Sequence, residues 1–366
     1  MPSPADALAD LPLRDDLVGL HPYGAPQLDV PVLLNVNENT FGVPADVHAA
    51  IVANVAEAAS GLNRYPDREF GELRKNLADY LGHGLVADQL WAANGSNEVL
   101  QQILQAFGGP GRTAIGFPPT YSMYPLLASG TGTRYVTAPR GAAYAMTAED
   151  TARAVRESGA NIVFLCSPNN PTGTALDLDV IEAAYAAGEA ARAIIIVDEA
   201  YGEFTQEGTP SALTLLPGRP RLIVSRTMSK AFALAGARLG YLAAAPEISD
   251  ALRLVRLPYH LSAITQAVAN AALTHADTLL SNVEAIKVQR DRIVRELRTM
   301  GLTPAVSDAN FVFFTGLEDP RRIWQGLLDA GVLIRDVGIP GSLRVTAGTE
   351  QETTLFLTTL RELLEQ

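Results

Sequence analysis

From about residue 113 onward the sequence alternates short apolar runs with helical patterns, and no other feature restricts the fold as much. The candidate strands are 113–117, 134–137, 162–166, 193–197, 222–224 and 239–243, with helical patterns near 147–157 and 177–190 between some of them. Short buried runs spaced by helices make an α/β fold, a mostly parallel sheet covered on both faces. In such a sheet ligands sit at the carboxyl ends of the strands. The polar residues after each run are therefore the ones to examine.

The flanking regions have a different texture. Residues 1–30 are rich in Pro and Asp and read as an arm. A short strand over 32–36 ends in Asn37, Glu38 and Asn39, and helices follow near 44–60 and 68–82. Residues 90–93 form a short apolar segment. Gly95 then permits a tight turn, and Ser96 or Asn97 can N-cap a helix marked by Val99, Leu100, Ile103 and Leu104. Free amides at that helix start suit an anion, although a plain N-cap explains the same residues. After about 258 come helices near 262–276, 278–299 and 320–330, apolar segments at 310–314, 332–335 and 343–345, and a final helix. The expected organisation is an arm over 1–30, a large domain over 31–257 and a smaller α+β domain over 258–366. A chain of 366 residues with 48% hydrophobic content can fill cores in both.

Lysine usage singles out one strand end. The chain takes most of its positive charge from arginine, and its only lysines are Lys75, Lys230 and Lys287. Lys75 and Lys287 fall on the polar faces of amphipathic helices. Lys230 instead lies among Met228, Ala231, Phe232, Ala233 and Leu234, directly after the run 222–224. Desolvation there disfavours the ammonium and yields a nucleophilic amine, the setting a Schiff-base lysine needs. Thr227, Ser229 and Arg238 offer donors suited to a phosphate dianion. An imine-forming lysine beside a phosphate cup suggests pyridoxal 5′-phosphate (PLP). A turn whose lysine reaches to water explains this stretch equally well.

The other strand ends supply complementary chemistry. Asp198 follows an apolar run, where burying it without a cationic partner is costly. A protonated pyridine nitrogen is such a partner, and the carboxylate would keep it protonated as an electron sink. Tyr201 and Asn170 could donate to the cofactor's phenolate oxygen, and Tyr121 is placed to stack on a planar ring. Singly, each has a plainer alternative: Asp198 as an N-cap, Asn170 as a turn residue, the tyrosines as packed aromatics. Together they match what PLP requires, from the ends of three different strands.

Other chemistries find no support. A formal charge of −12 argues against a nucleic-acid footprint, though local arginines can still focus small anions. There is no Walker A sequence, no His-Glu-x-x-His and no Cys-x-x-Cys, and the five histidines are scattered without metal-ligand spacing. Cys166, the single cysteine, reads as a small buried hydrophobe. The acidic N-terminus lacks an apolar signal region, and no run approaches membrane-spanning length, so a reducing cytoplasm and no membrane association are expected.

The ordered set Asn-Pro-Thr-Gly at 170–173, Val-Asp-Glu-Ala-Tyr at 197–201, Ser-Lys-Ala-Phe at 229–232 and Gly-x-Arg-x-Gly at 236–240 resembles fold-type I PLP aminotransferases. More narrowly, the chain resembles the histidinol-phosphate aminotransferase family along nearly its whole length. The agreement includes His21-Pro22-Tyr23-Gly24, Arg64-Tyr65-Pro66, Leu257-Pro258-Tyr259 and Leu333-Ile334-Arg335-Asp336. It departs at Thr40, where the family commonly has proline, and this should loosen the loop. It departs again at Asn97, where many relatives carry aspartate.

The resemblance implies that Lys230 carries the cofactor and shuttles the proton. Asp198 pairs with the ring nitrogen, Asn170 and Tyr201 contact the phenolate oxygen, and Tyr121 stacks. Ser96, Asn97, Thr227, Ser229 and Arg238 hold the phosphate, with Tyr65 supplied by the partner subunit of a homodimer. Tyr23, Asn170, Tyr259, Arg335 and Arg344 receive the substrate. The implied reaction is reversible amino transfer between histidinol phosphate and 2-oxoglutarate, giving imidazole-acetol phosphate and glutamate. The alternatives are an aromatic amino-acid aminotransferase, a PLP-dependent threonine-phosphate decarboxylase and a PLP-binding regulatory protein without significant turnover.

Overall fold

A computed structural model of the chain describes residues 11–18, 24 and 26–365. The strands in chain order are β1 (Val32–Leu33), β2 (Leu90–Ala93), β3 (Thr113–Gly116), β4 (Arg134–Thr137), β5 (Ile162–Cys166), β6 (Ile194–Asp198), β7 (Leu222–Thr227), β8 (Gly240–Ala244), β9 (Thr303–Pro304), β10 (Phe311–Thr315), β11 (Val332–Leu333) and β12 (Ser342–Thr346). Seven of them form one sheet in the order β2-β8-β7-β6-β5-β3-β4. β4, β3, β5, β6 and β7 run parallel, and β8 lies antiparallel to both β7 and β2. Every residue of β2, β5, β6, β7 and β8 is buried. A sheet covered on both faces removes alternation from its strands, so they read as continuous apolar runs.

The reversed direction of β8 matters for the site. At the edge where β2, β3, β5, β6 and β7 end, β8 begins, with Gly240 opposite both Ala93 and Thr227. Arg238, just before β8, therefore joins residues that follow the other strands.

The C-terminal unit holds an antiparallel sheet β12-β10-β9 and the helices Ala276–Thr299, Pro320–Asp329 and Glu350–Leu364. β1 pairs in parallel with β11 of that unit, Val32 opposite Val332. The fully buried Arg290 ties the unit to the turn after β6 by donating to the Phe204 carbonyl, and it also donates to the Ala309 carbonyl just before β10. Asp308 does the same, accepting from the Gln206 amide and donating its own amide to the Gly173 carbonyl. Among the described residues no helix is long and apolar enough to cross a membrane.

The structure departs from the sequence expectations locally. Residues 90–93 are a full strand of the main sheet rather than an unassigned apolar segment. The strand expected over 32–36 stops at Leu33, because the backbone beyond it turns toward other partners. Neither Ser96 nor Asn97 caps the helix Ser96–Phe107; Gly95 occupies the cap, at φ +88°, which only glycine adopts readily. Thr40 does not loosen its loop either, since its hydroxyl donates to Glu352 at 2.5 Å. Glu352 also accepts from the Thr349 amide in the capping box of the last helix.

Candidate active site

The strand ends surround a cavity of about 750 Å³. Lys230, Asp198, Tyr201, Asn170 and Tyr121 line it, as do Ser96, Asn97, Thr227, Ser229 and Arg238, and Arg335 and Arg344. Tyr65 and Tyr259 do not. They stack on each other, ring centroids 4.4 Å apart, outside the cavity of their own chain. Tyr23 lies outside the described residues.

Asp198 ends β6, and its carboxylate is buried. It accepts from the Tyr124 hydroxyl at 2.9 Å and the Ser225 hydroxyl at 3.3 Å. Burial pushes the carboxyl up, and these neutral donors oppose the shift. It has no ion-pair partner among the described residues. A buried carboxylate with only neutral donors fits a cationic ring nitrogen. Tyr124, itself stacked on Phe164, positions that carboxylate and was not singled out in the sequence. Its only signal is an apolar-helix tyrosine three residues beyond Tyr121.

Lys230 follows β7 and donates to the Val36 carbonyl at 2.9 Å. Burial first, then the charge of Arg344, lowers its amine from the ordinary lysine value to about 8, against the pull of Glu38. Lys75 and Lys287 differ from it: Lys75 is exposed and Lys287 pairs with Glu284.

The anion cradle is built by close approach of backbones. A Cβ on Gly95 would lie 2.3 Å from the Arg238 guanidinium, and one on Gly240 would lie 2.2 Å from the Ser96 amide nitrogen. The Thr227 hydroxyl donates to Ser229 at 3.0 Å and accepts from the Ser229 amide. The Ser96 and Asn97 amides open the helix Ser96–Phe107, where an amide has no intrahelical acceptor, whereas the Glu98 amide already donates to the Gly95 carbonyl. Donors from the ends of β2 and β7 therefore converge with the Arg238 guanidinium at the start of β8 on one small volume, a setting that fits a phosphate dianion. Asn97 accepts from the Tyr121 hydroxyl at 3.1 Å, so its side chain orients the aromatic ring.

Arg344 is buried and tightly held. Its guanidinium donates to Asn170 Oδ1 at 2.6 Å and to the Asn35 carbonyl at 2.7 Å, and it lies over the Phe311 ring. Arg335 is its direct antiparallel neighbour, their amides and carbonyls bonded at 2.9 Å in both directions. Arg335 has no carboxylate partner among the described residues. Asn37 was named in the sequence without a role. Here it is buried and donates to the Tyr201 hydroxyl at 2.9 Å.

Residues 30–360 match the family model for aminotransferase class I and II. The chain is 75% identical, over 98% of its length and 97% of the relative's, to a histidinol-phosphate aminotransferase of Paenarthrobacter aurescens. It is 59% identical to one of Thermobifida fusca, covering 96% and 95%. The crystal structure of a histidinol-phosphate aminotransferase from Sinorhizobium meliloti in complex with pyridoxal-5′-phosphate superposes with a TM-score of 0.81 at 28% identity, covering 92% of this chain and 91% of that one. A strand-end site of this make-up, on a chain this close to those relatives, places it: the chain belongs to the class I and II aminotransferases and, within them, to the histidinol-phosphate aminotransferase family.

Proposed function

We propose that the chain catalyses PLP-dependent amino transfer between histidinol phosphate and 2-oxoglutarate, giving imidazole-acetol phosphate and glutamate in histidine biosynthesis. The observation that carries this reading is a single cavity holding a lysine with a depressed pKa, a buried carboxylate without an ion-pair partner and an arginine-capped cradle. When bound, PLP supplies an electron sink for charge developing on the carbon that bears the amino group. The residues do the rest. Lys230 offers the amine that bonds the cofactor and then takes and returns the substrate proton. Asp198 holds positive charge on the ring nitrogen. Asn170 and Tyr201 would hold the phenolate oxygen, and Tyr121 would hold the ring by stacking. Ser96, Asn97, Thr227, Ser229 and Arg238 grip the phosphate.

Arg335 and Arg344 read the substrate's far anion, with Asn170 shared between cofactor and substrate. One half-reaction presents a phosphate and the other a carboxylate. A guanidinium fork accepts both, which an ammonium does not do in bidentate fashion. Tyr23 and Tyr259 belong to the same reading as residues that receive the substrate, and Tyr65 as the residue supplied by the partner subunit of a homodimer. The exposed Tyr65–Tyr259 stack supports it, beside Leu62, Leu254 and Leu257, all largely exposed in the single chain. The division at about residues 30 and 257 and a cytoplasmic location complete the proposal.

The direct test is turnover with histidinol phosphate, phenylalanine and threonine phosphate side by side, with 2-oxoglutarate as acceptor. Histidinol phosphate should give the highest kcat/KM. A preference for phenylalanine would replace this reading with an aromatic aminotransferase, and carbon dioxide release from threonine phosphate with a decarboxylase.

A further inference from the structure

Residues 35–39 run across the cavity and touch its working groups in succession. The Asn35 carbonyl accepts from Arg344, the Val36 carbonyl accepts from Lys230, and the Asn39 amide donates to the Ala231 carbonyl at 3.1 Å. Between them sits Asn37, at φ +57°, a left-handed conformation that asparagine tolerates better than other residues with a side chain. Three contacts from the C-terminal unit fix it. Its amide nitrogen donates to Thr346 Oγ1 at 3.1 Å, the Thr346 hydroxyl donates to its Oδ1 at 3.2 Å, and Asn310 donates to its carbonyl at 3.1 Å.

With Oδ1 occupied by Thr346, Nδ2 of Asn37 faces Tyr201 and donates to its hydroxyl oxygen at 2.9 Å. Asn170 is oriented still more firmly, because Arg344 has only donors and holds Asn170 Oδ1 at 2.6 Å. Its Nδ2 therefore also faces the Tyr201 oxygen, at 3.4 Å. A phenolic oxygen has two acceptor positions and one proton. With both acceptor positions taken by amide donors, the proton points away from them, toward the cavity that Tyr201 lines.

We propose that Asn37 is a positioning residue that directs the Tyr201 hydroxyl proton into the cavity, onto the ring oxygen of the bound cofactor. The inference rests on the reading that Tyr201 serves that oxygen. Asn37 also strengthens Tyr201 as a donor, since a hydrogen bond accepted by the phenolic oxygen stabilises the charge left when its proton is shared. Burial opposes this most, pushing the Tyr201 hydroxyl up; of the other groups facing it, the Arg344 guanidinium acts in the same direction as Asn37, and Cys166 and Asp198 oppose it, with Phe311 packed edge-on at 5.0 Å. The role is separable from catalysis itself, because Asn37 acts only through Tyr201.

The experiment uses the holoenzyme and reads the pH midpoint of the bound cofactor's visible absorbance. A donor on the ring oxygen stabilises its negative form, so losing the donor raises the pH at which the bound cofactor gives up its proton. Asn37→Asp keeps the shape and the left-handed backbone but presents an acceptor to Tyr201, which should draw the hydroxyl proton away. The midpoint should rise, and the rise should exceed that from the same substitution in a Tyr201→Phe background by about half a pH unit or more, roughly threefold in proton affinity. The Phe background removes the plain charge effect of the new carboxylate. Equal shifts in both backgrounds, or no shift in either, would overturn the proposal. Thr346→Val frees the Asn37 amide without adding charge and should give a smaller rise that likewise disappears with Tyr201→Phe. If Asn37→Asp does not fold, that variant decides the matter by the same criterion. Tyr201→Phe alone should raise the midpoint. If it does not, the reading of Tyr201 fails, whereas a rise there without coupling to Asn37 removes only the present inference.

Discussion

At the scale of single residues, Lys230 carries an energetic signature apart from chemistry. Its folded pKa of about 8 lies below its ordinary value of 10.5, chiefly because burial penalises the ammonium. Between those values the unfolded chain binds more protons than the folded one, so stability rises with pH across that window, and the penalty is full below about 8. In the cofactor-free protein, Lys230→Met should therefore melt higher than the parent near about pH 7, with the advantage shrinking toward about pH 10. Paired thermal melts across that range check this, and a constant difference would contradict it. Lys230→Ala should still bind PLP through the cradle yet lose roughly a thousandfold or more in transamination, since no other lysine lines the cavity. Arg335 makes a second prediction at this scale. Arg335→Ala should cut kcat/KM for histidinol phosphate by roughly two orders of magnitude, leave PLP affinity intact and harm phenylalanine turnover less. An equal loss for both substrates would show that Arg335 does not read phosphate.

At the scale of elements, the cradle depends on two glycines that join β2, β8 and the helix Ser96–Phe107. Gly95→Ala forces a Cβ into the Arg238 guanidinium at a backbone angle that alanine resists. PLP affinity should fall roughly tenfold or more, while the sheet, which does not pass through Gly95, keeps its cooperative melt. Equilibrium titration of the cofactor-free variant with PLP gives the answer, and an unchanged Kd would mean that Arg238 does not grip the phosphate. Element-level features were unevenly legible. The strands β3 and β5 to β8 show as apolar runs because burial on both faces removes polar positions, and Asp198 and Lys230 stand out against that background, whereas the edge strand β4 is half-exposed. β2 was harder, since a four-residue strand antiparallel to β8 has no helical partner pattern to announce it. Gly95 rather than Ser96 or Asn97 takes the cap because backbone approach to Gly240 and Arg238, a contact 145 and 143 residues distant, fixes the turn. Tyr124 and Asn37 reach the site through tertiary hydrogen bonds, which leave no local pattern in the sequence. The same holds for the Arg335–Arg344 bridge, where two apolar segments betray strands but not their register.

At the scale of the whole molecule, the main tension is that residues expected in one site lie apart. Tyr65 is 79% exposed and stacks on Tyr259 outside the cavity, although both belong to segments that match the family. Exposed aromatic rings flanked by Leu62, Leu254 and Leu257 are costly to leave in water and suited to a subunit interface. If the partner subunit receives Tyr65, an enzyme built from two defective chains can still assemble one intact site. Tyr65→Ala and Lys230→Ala remove different halves of it. In a mixed dimer, one cavity has a good Lys230 and a good Tyr65 donated across the interface, and the other has neither. Random mixing makes about half of all dimers hybrid, each with one working site, so the unfractionated mixture should approach about a quarter of the parent activity and the purified hybrid about half. The assay is co-refolding or co-expression of differently tagged chains, purification of the hybrid and measurement of histidinol phosphate turnover. Tyr65→Ala alone should first lose roughly tenfold or more, as expected for a lost donor to a phosphate, so that recovery stands clear of background. Hybrids that form and stay as inactive as the two parents would mean that each chain completes its site alone, with Tyr65 moving in from its own surface.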